Sequence, residues 1–554
     1  MPSQAADRRL RCLRHERAQH CSVALRGCPF LCSAPIGRTV ARRSQEGRFF
    51  RTRDPMPPSL IDRLPRWQLG ALLLFVHLGS RVAAHVSGLR FDTSALARGW
   101  QHLDPLLLKE RLFESLFYLH AQPPLFNLFL GAVLKLAGEA SQAIFQFLFL
   151  GMGAALYAAI FAVMRRLGVS RMCAFVASTV FVVSPSYILY ESWLFYTLPL
   201  AMLVGLATLL FARLLDRKTM TSFGAFFAVV ALLCATHGLF HLVYLVACVV
   251  AVLATRIAPP RAVITAAAVP VLWVTAIYAK NAIVFGEFNE SSWMGMNIAL
   301  RRVDALPRAE RDRLAALGVL SDVAAAEPFQ ALDSYPNHYA DVPTRFERIR
   351  ALASARKSNG EPNLNHWGYI AIARSYAHDT KFVVEHYPKI LVVSLLRGWY
   401  DYFRSSSDYW FLEPNIAASS LIRMECRLFD LLLYGVLLKN SVGLFIVVAL
   451  PWLVVATFRL ALGSPPPFFP VDLTPERRRL LLFCAGTIAY VALVANTLNT
   501  IENMRLRFMT DPLFVILASF WVETWVIPRW QRIRGTRPAP PARPFAPNAV
   551  TKGY

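Results

Sequence analysis

Residues 142–164 read "QAIFQFLFLGMGAALYAAIFAVM", and Arg165 and Arg166 follow directly. The stretch contains no charged side chain. A helix needs about 20 apolar residues to cross the roughly 30 Å hydrocarbon core of a bilayer, and this stretch is long enough. An uncharged run that ends in two arginines is typical of a transmembrane helix whose last residues lie in the cytoplasm. This stretch therefore predicts a membrane protein.

The composition of the whole chain agrees with that prediction. Of 554 residues, 55% are hydrophobic and 17% are charged, and the mean hydropathy is +0.40. Soluble domains carry about 25% charged residues. The apolar runs are continuous, whereas the strands of a membrane β-barrel alternate over about ten residues. We expect an all-α polytopic protein with about ten to twelve transmembrane helices. The predicted spans are 67–86, 142–164, 172–190, 194–212, 222–236, 241–255, 262–279, 441–458, 480–498 and 512–528.

The positive charges indicate the orientation of these spans. The formal net charge is +24, and the basic residues cluster in short segments between the apolar runs. With a cytoplasmic N-terminus, the segments 165–171, 213–218, 256–261, 477–479 and 529–537 all fall in the cytoplasm, together with Arg459. This distribution satisfies the positive-inside rule and accounts for most of the charge without nucleic-acid binding. We expect both termini in the cytoplasm and the protein in the inner (plasma) membrane.

The segment "YLHAQPPLFNLFLGAVLKLAG" at 118–138 is apolar but short. If its apolar part formed a full span, Arg165 and Arg166 would lie outside the cell, against the charge rule. We therefore expect 124–138 to be an interfacial helix with Pro123 and Pro124 in its first turn. It would belong to one large extracytoplasmic loop, 87–141, that rests on the membrane.

Five regions follow from this topology. We expect a basic cytoplasmic tail at 1–66, a transmembrane block at 67–279, an extracytoplasmic helical insertion at 280–427, C-terminal transmembrane helices at 428–528, and a basic Pro-rich cytoplasmic tail at 529–554. The segments 388–404, at the end of the insertion, and 428–438, directly after it, could enter the membrane as a pair. For residues 1–55 the favoured interpretation is a start codon assigned too early, because a start at Met56 leads straight into the first span. A disordered tail or a transit peptide are the alternatives. The nine cysteines form no disulfide framework or zinc-site spacing.

Two acids lie close to predicted spans on the outer side. Asp92 follows the first span, and Glu191 lies between two apolar runs in "SPSYILYESWLFYTLP". Carboxylates held at a membrane surface are partly desolvated, which favours a role as a base, and ionisable residues at membrane depth are often functional. Both are therefore candidate catalytic residues. His237 and His241 have the spacing of a metal pair but lack a third ligand nearby, so contacts with a substrate or a helix end are favoured.

Cations on the predicted outer side point to an anionic ligand. The outside should be poor in Lys and Arg, and forked guanidinium groups suit phosphate oxygens. Contacts with lipid headgroups are the alternative. The candidates are Lys280, Arg301, Arg302, Arg505 and Arg507.

Taken in order, Asp92, the loop ending "YLHAQPPLFNLFLG", Glu191 and the terminal "ENMRLRFMTDPLF" resemble the GT-C glycosyltransferase superfamily. The similarity is to the bacterial group of protein mannosyltransferases and lipid A aminoarabinose transferases. It covers roughly 60–300 well and the C-terminal part more weakly. His120 is separated from the prolines by Ala121 and Gln122, so Gln122 is the alternative candidate for the family's histidine position. The insertion at 280–427 has no assigned counterpart.

The resemblance implies an inverting transfer of a sugar from a polyprenyl-phosphate carrier to a glycan, lipid or protein acceptor on the extracytoplasmic face. Asp92 would deprotonate the acceptor, and Glu191 would orient donor or acceptor. A set of cationic and other polar side chains near these two acids would bind the phosphate or the sugar of the substrate. These are His120, Gln122, His237, Lys280, Arg301, Glu502, Arg505 and Arg507. No cofactor is required, and a divalent metal held by Asp92 and Glu191 has no support in the spacing. A transporter or flippase for a lipid-linked sugar is the main alternative, and a non-catalytic membrane assembly factor is a third.

Overall fold

The computed structural model describes residues 60–435, 442–464, 473–498 and 501–533. Residues 1–59 of the predicted N-terminal tail (1–66) and 534–554 of the predicted C-terminal tail (529–554) lie outside these ranges, as do residues 436–438 of the segment expected to enter the membrane. Within the described residues the chain is all-helical and has no β-strand beyond two isolated bridges. The prediction of an all-α fold is confirmed for this part of the chain.

Thirteen α-helices precede the insertion. They are α1 Leu60–Arg63, α2 Arg66–Val86, α3 Ser94–Arg98, α4 Pro105–Glu110, α5 Leu112–Phe117, α6 Leu125–Ala137, α7 Ser141–Leu167, α8 Arg171–Val182, α9 Pro185–Glu191, α10 Thr197–Arg217, α11 Met220–Thr236, α12 Leu242–Ala254 and α13 Pro260–Phe285. Each of the seven apolar runs predicted before residue 280 forms a helix or a bent pair of helices.

The insertion and the C-terminal region hold the other helices. They are α14 Met294–Ala299, α15 Arg308–Ala316, α16 Arg350–Ala353, α17 Gly368–His386, α18 Pro388–Phe403, α19 Glu413–Ala418, α20 Ser420–Phe429, α21 Leu444–Ala461, α22 Pro475–Leu498, α23 Asn503–Phe508, α24 Asp511–Trp521 and α25 Ile527–Ile533. Short 3₁₀ turns connect several of them, and π-helical turns occupy Asp430–Tyr434 and Val522–Val526.

Seven helical stretches in the described ranges are long and apolar enough to cross a membrane, or eight if the bent pair α8–α9 counts as one span. The chain is therefore a multi-pass membrane protein. Two predicted spans, 222–236 and 241–255, form α11 and α12, which have 17 and 13 residues. These are shorter than the about 20 residues that a perpendicular span requires, so length alone supports fewer spans than the ten predicted.

The bend between α8 and α9 has a local cause. Their axes differ by 60°, and Pro185 begins α9 at a position where it supplies no backbone N–H. The Ser184 hydroxyl instead accepts a hydrogen bond from the Tyr187 N–H at 3.4 Å. A helix that ends before a proline and restarts with a serine cap leaves Glu191 at the end of the short second segment.

The helix at Leu125–Ala137 folds back along α7. The Phe129 and Phe145 rings lie 5.7 Å apart, whereas a straight helix would separate residues 16 positions apart by about 24 Å. The reversal occurs at Gly138, whose φ of 54° is a conformation that glycine adopts without strain. The segment expected at 124–138 is therefore a separate helix of 13 residues. Its position at the outer membrane surface stays a prediction.

The central helices form the tightly packed part of the bundle. Helix α10 packs against α7, α11 and α22, and α24 packs against α7 and α8. Helix α2 lies at the periphery, and several of its large apolar side chains, such as Phe75 and Val82, are exposed, as expected of a lipid-facing helix. Helix α18 packs on α22 and α23, which connects the insertion to the region of Arg505.

Candidate active site

The first outer loop and the loop after α9 are joined through their backbones. The Asp92 N–H donates to the Ser192 carbonyl at 2.7 Å, and the Leu194 N–H donates to the Asp92 carbonyl at 2.9 Å. The Asp92 carboxylate is half-buried and accepts a hydrogen bond from the Ser94 N–H at 2.8 Å. The structure thus brings the predicted base next to residues 192–194, about 100 positions away in the sequence.

Glu191 lies beside this contact, but its carboxylate is bound elsewhere. Its two oxygens accept hydrogen bonds from Arg81 Nε at 2.7 Å and Arg81 Nη2 at 2.9 Å. The Glu191 side chain is buried and that of Arg81 is 9% exposed, and His77 Nε2 lies 3.7 Å from the Glu191 carboxylate. With both oxygens taken by a guanidinium, Glu191 in this arrangement is not free to share a divalent metal with Asp92. Its contact with a substrate stays a prediction.

Arg505 occupies an aromatic enclosure. Its guanidinium carbon lies 5.1 Å from the Phe195 ring centre, 5.3 Å from that of Tyr196 and 5.4 Å from that of Tyr409. The residue is only 2% exposed. We call these three aromatic residues, together with Arg505 and Glu502, the Arg505 pocket.

The guanidinium of Arg505 is only partly satisfied. Nη2 donates to Glu502 at 2.8 Å, whereas Nε and Nη1 have no hydrogen-bond partner among the described residues. Buried donors without an acceptor are costly, so an arginine in this state is suited to receive an anion. Glu502 itself adopts a left-handed backbone conformation with φ 66°, which is uncommon for a residue other than glycine.

Arg507, two positions away, is fully engaged with the protein. Its guanidinium donates to Asp511, to the backbone carbonyls of residues 402 and 404, to the Ser406 hydroxyl and to the Tyr434 hydroxyl. These contacts tie α23 to the end of the insertion. The sequence predicted the same anion-binding role for Arg505 and Arg507. In the structure the two differ because, of the pair, only Arg505 retains N–H donors without an acceptor.

The other predicted cations are also paired within the protein. Lys280 Nζ donates to the Leu119 carbonyl at 2.6 Å. Arg301 Nη1 lies 2.6 Å from an Asp401 carboxylate oxygen. Arg302 donates to the carbonyls of residues 298 and 497. These contacts connect the first loop, the insertion and α22, so in this conformation the three cations act as structural anchors.

His120 and Gln122 occupy different environments. His120 is buried, with Nδ1 2.6 Å from the Ser292 hydroxyl and Nε2 3.0 Å from the Asn365 carbonyl. Burial lowers its pKa to about 3. Gln122 instead lines a small cavity beside Tyr196. Of the two candidates for the family's histidine position, Gln122 is therefore the one next to the Arg505 pocket, and His120 joins the first loop to the insertion.

His237 and His241 do not act as a pair. The His237 ring lies 4.4 Å from the Tyr196 ring, and its Nδ1 accepts a hydrogen bond from the Leu239 N–H at 2.9 Å. His241 forms a close ion-pair contact with Glu290. A search of the described ranges for three or more His, Cys, Asp or Glu side chains arranged to hold a metal ion finds none. His237 thus borders the Arg505 pocket through Tyr196.

Further polar atoms without partners surround Phe195. His102 Nε2, Trp193 Nε1, Tyr196 Oη and Thr197 Oγ1 are buried and make no hydrogen bond with any residue the structure describes. The rings of His102, Trp193 and Tyr196 lie 5.3, 4.3 and 4.1 Å from that of Phe195. Buried polar groups are normally hydrogen-bonded, so this concentration next to Arg505 makes the region a candidate for binding a polar ligand.

The sequence did not point to several residues of this site, among them His77, Arg81 and His102. His77 and Arg81 lie inside the first apolar run, and an ionisable residue at membrane depth is itself a functional signal. The aromatic residues of the pocket resembled an interfacial belt, and His102 had no distinguishing neighbours. Comparisons with protein families, curated proteins and solved structures find no match to this chain.

Proposed function

We propose that this protein is a membrane glycosyltransferase with a GT-C-like fold. It would transfer a sugar from a polyprenyl-phosphate donor to a glycan, lipid or protein acceptor on the extracytoplasmic face. The observation that carries the proposal is Arg505, whose buried guanidinium keeps two free N–H donors inside an aromatic enclosure. A buried guanidinium with free N–H donors can bind the oxygens of a phosphate through charge-assisted hydrogen bonds.

The transfer would be a single displacement. The acceptor hydroxyl oxygen attacks the anomeric carbon, and the bond between that carbon and the phosphate oxygen breaks. The hydroxyl proton passes to the Asp92 carboxylate, and the polyprenyl phosphate departs with the bonding electrons. Attack from the face opposite the leaving group inverts the anomeric centre. Arg505 stabilises the negative charge that develops on the phosphate.

The remaining candidate residues support this arrangement in different ways. Glu502 orients Arg505, and Gln122 and His237 lie beside Tyr196 where the sugar would bind. Glu191 fixes the end of α9 to α2 through Arg81, next to the residues that contact the Asp92 backbone, and so acts through its neighbours rather than on the reacting atoms. Lys280, Arg301, Arg507 and His120 hold the loops that enclose the site.

A transporter or flippase for a lipid-linked sugar is the competing function. Broken helices in matching halves are common in transporters. The described ranges contain one bent pair of helices, α8–α9. A transporter could use Arg505 for the same phosphate, so phosphate binding alone does not separate the two functions.

Replacing Asp92 with Asn separates them. In purified protein, a transferase should lose at least about 100-fold of its turnover, as is typical for removal of a general base, while donor binding is retained. A flippase should move the lipid-linked sugar at the wild-type rate. Glu114→Gln is the matched control, because Glu114 is a partly exposed acid of the same loop whose carboxylate lies 3.5 Å from Arg111. Full turnover by the Asp92 variant would overturn its assignment as the base.

A further inference from the structure

A small cavity adjoins the Arg505 pocket on the side of the first loop. Tyr196 belongs to both, because it lines the cavity and also contacts the Arg505 guanidinium. Helices α4 and α6 border the cavity through the loops that precede them. The lining residues are Gln101, His102, Gln122, Pro123, Phe126, Asn127, Tyr196 and Thr236.

The cavity presents hydrogen-bonding groups that the protein does not satisfy. His102 Nδ1 lies 2.7 Å from the Ala95 carbonyl, so Nδ1 carries the proton and Nε2 is an acceptor. His102 Nε2 has no partner in the described structure, and the Tyr196 hydroxyl, which lies close to the Arg505 guanidinium, makes no hydrogen bond of normal geometry there. These residues are 3% and 2% exposed. A ligand hydroxyl can donate to the imidazole and also accept from the phenol, so the two groups together match an alcohol.

None of the lining side chains carries a charge. They are amides, a neutral imidazole, hydroxyls, a phenyl ring and a proline. Burial lowers the pKa of His102 to about 3, which keeps the imidazole neutral at physiological pH. The nearest acid of the Arg505 pocket, Glu502, is bound to Arg505. A cationic substituent here would lose its water without gaining a counter-charge, and Arg505 would repel it.

We propose that this cavity makes the site selective for a neutral, hydroxyl-bearing sugar and excludes sugars with a charged amine. The inference rests on the proposed function, because it identifies the class of sugar attached to the phosphate that Arg505 binds. The cavity is roughly the size of one water molecule, which is the space of a single hydroxyl substituent. His102, Gln122 and Tyr196 are the residues that determine this selectivity.

The direct test compares ligands on the wild-type protein. Short-chain polyprenyl phosphates carrying mannose or an amino-deoxyhexose are bound to purified protein in nanodiscs at pH 7. The neutral sugar should bind at least about tenfold more tightly, and the difference should shrink when the pH exceeds the pKa of the ligand amine. Equal or tighter binding of the amino sugar at pH 7 would overturn the inference.

A variant gives the opposite test. Gln122→Glu adds a carboxylate at the cavity wall and should shift the preference toward the amino sugar by about tenfold or more. An unchanged preference in a folded variant would contradict the assignment of this cavity. Binding of bare polyprenyl phosphate distinguishes failure of the sugar selectivity from failure of the proposed function. If the bare carrier binds but the sugars are not discriminated, only the inference fails. If neither carrier nor sugars bind, the proposed function fails with it.

Discussion

Replacing Arg505 with Gln should abolish tight binding of a polyprenyl phosphate. The substitution removes the positive charge together with Nε and Nη1, the two donors that make no hydrogen bond in the described structure. The side chain is 2% exposed, so bulk water cannot replace the lost contacts easily. The contacts that the substitution changes are local, because the guanidinium donates to Glu502 at 2.8 Å, on the same short helical segment, and otherwise lies among aromatic rings.

The expected magnitude follows from the number of free donors. A hydrogen bond to a charged group contributes about 1.5–3 kcal/mol. Two such bonds to a phosphate amount to about 3–6 kcal/mol, or roughly two to four powers of ten in Kd. Arg505→Lys keeps the charge but loses the planar fork, so its affinity should fall between those of wild type and the Gln variant.

The assay is equilibrium binding of a short-chain polyprenyl phosphate to protein in nanodiscs. The matched control is Arg301→Gln, because Arg301 was predicted to bind the same anion but is paired with Asp401 at 2.6 Å. This control should bind with nearly wild-type affinity, since Asp401 keeps its contact with Arg404. If Arg505→Gln binds as tightly as wild type, or if the two variants lose affinity equally, Arg505 is not the phosphate site.

Three further predictions concern stability. Arg81→Gln leaves the buried Glu191 carboxylate unpaired and should lower the free energy of unfolding by about 3–5 kcal/mol. The loss should appear as a lower thermal midpoint in detergent. A midpoint equal to that of wild type would contradict the role of this ion pair. Gly153→Ala should also destabilise the protein, because the added methyl would meet the Glu191 carboxylate that Arg81 binds. Gly151→Ala in the same helix meets open space and should be neutral or slightly stabilising. His102 and His120 have folded-state pKa values near 3, below the unfolded value of about 6.5. Since the unfolded chain binds protons that the folded chain does not, the free energy of unfolding should fall by about 1.4 kcal/mol per histidine and pH unit as the pH drops below 6.5. A thermal midpoint that is constant between pH 7.5 and 5 would contradict this.

Much of the fold could be predicted because lipid imposes a strong and local constraint. Each apolar run forms a helix within the described ranges, since backbone groups inside a bilayer must be hydrogen-bonded within the segment. The short helix after Pro124 was also predicted from length and charge. The span count was less certain, because α11 and α12 are apolar but short, and apolarity alone does not determine helix length.

The site was less predictable because its geometry depends on contacts between distant residues. Asp92 was singled out by its position after the first span, and the structure places it against residues 192–194. Glu191 was predicted as a site residue, but nothing in the sequence showed that Arg81 binds both of its oxygens. Arg505 and Arg507 are two positions apart in α23, and their different surroundings come from segments that reach them from elsewhere in the chain, such as residues 402–406 for Arg507.

The central claim, sugar transfer from a polyprenyl-phosphate donor, is tested most directly in cells. The gene is deleted and complemented with wild type or Asp92→Asn, and total lipid and envelope glycans are analysed by mass spectrometry. Deletion should remove one sugar from a glycan, lipid or protein and cause its polyprenyl-phosphate donor to accumulate, with rescue by wild type only. Unchanged glycans with the lipid-linked sugar retained on the inner face, or full rescue by Asp92→Asn, would contradict the account.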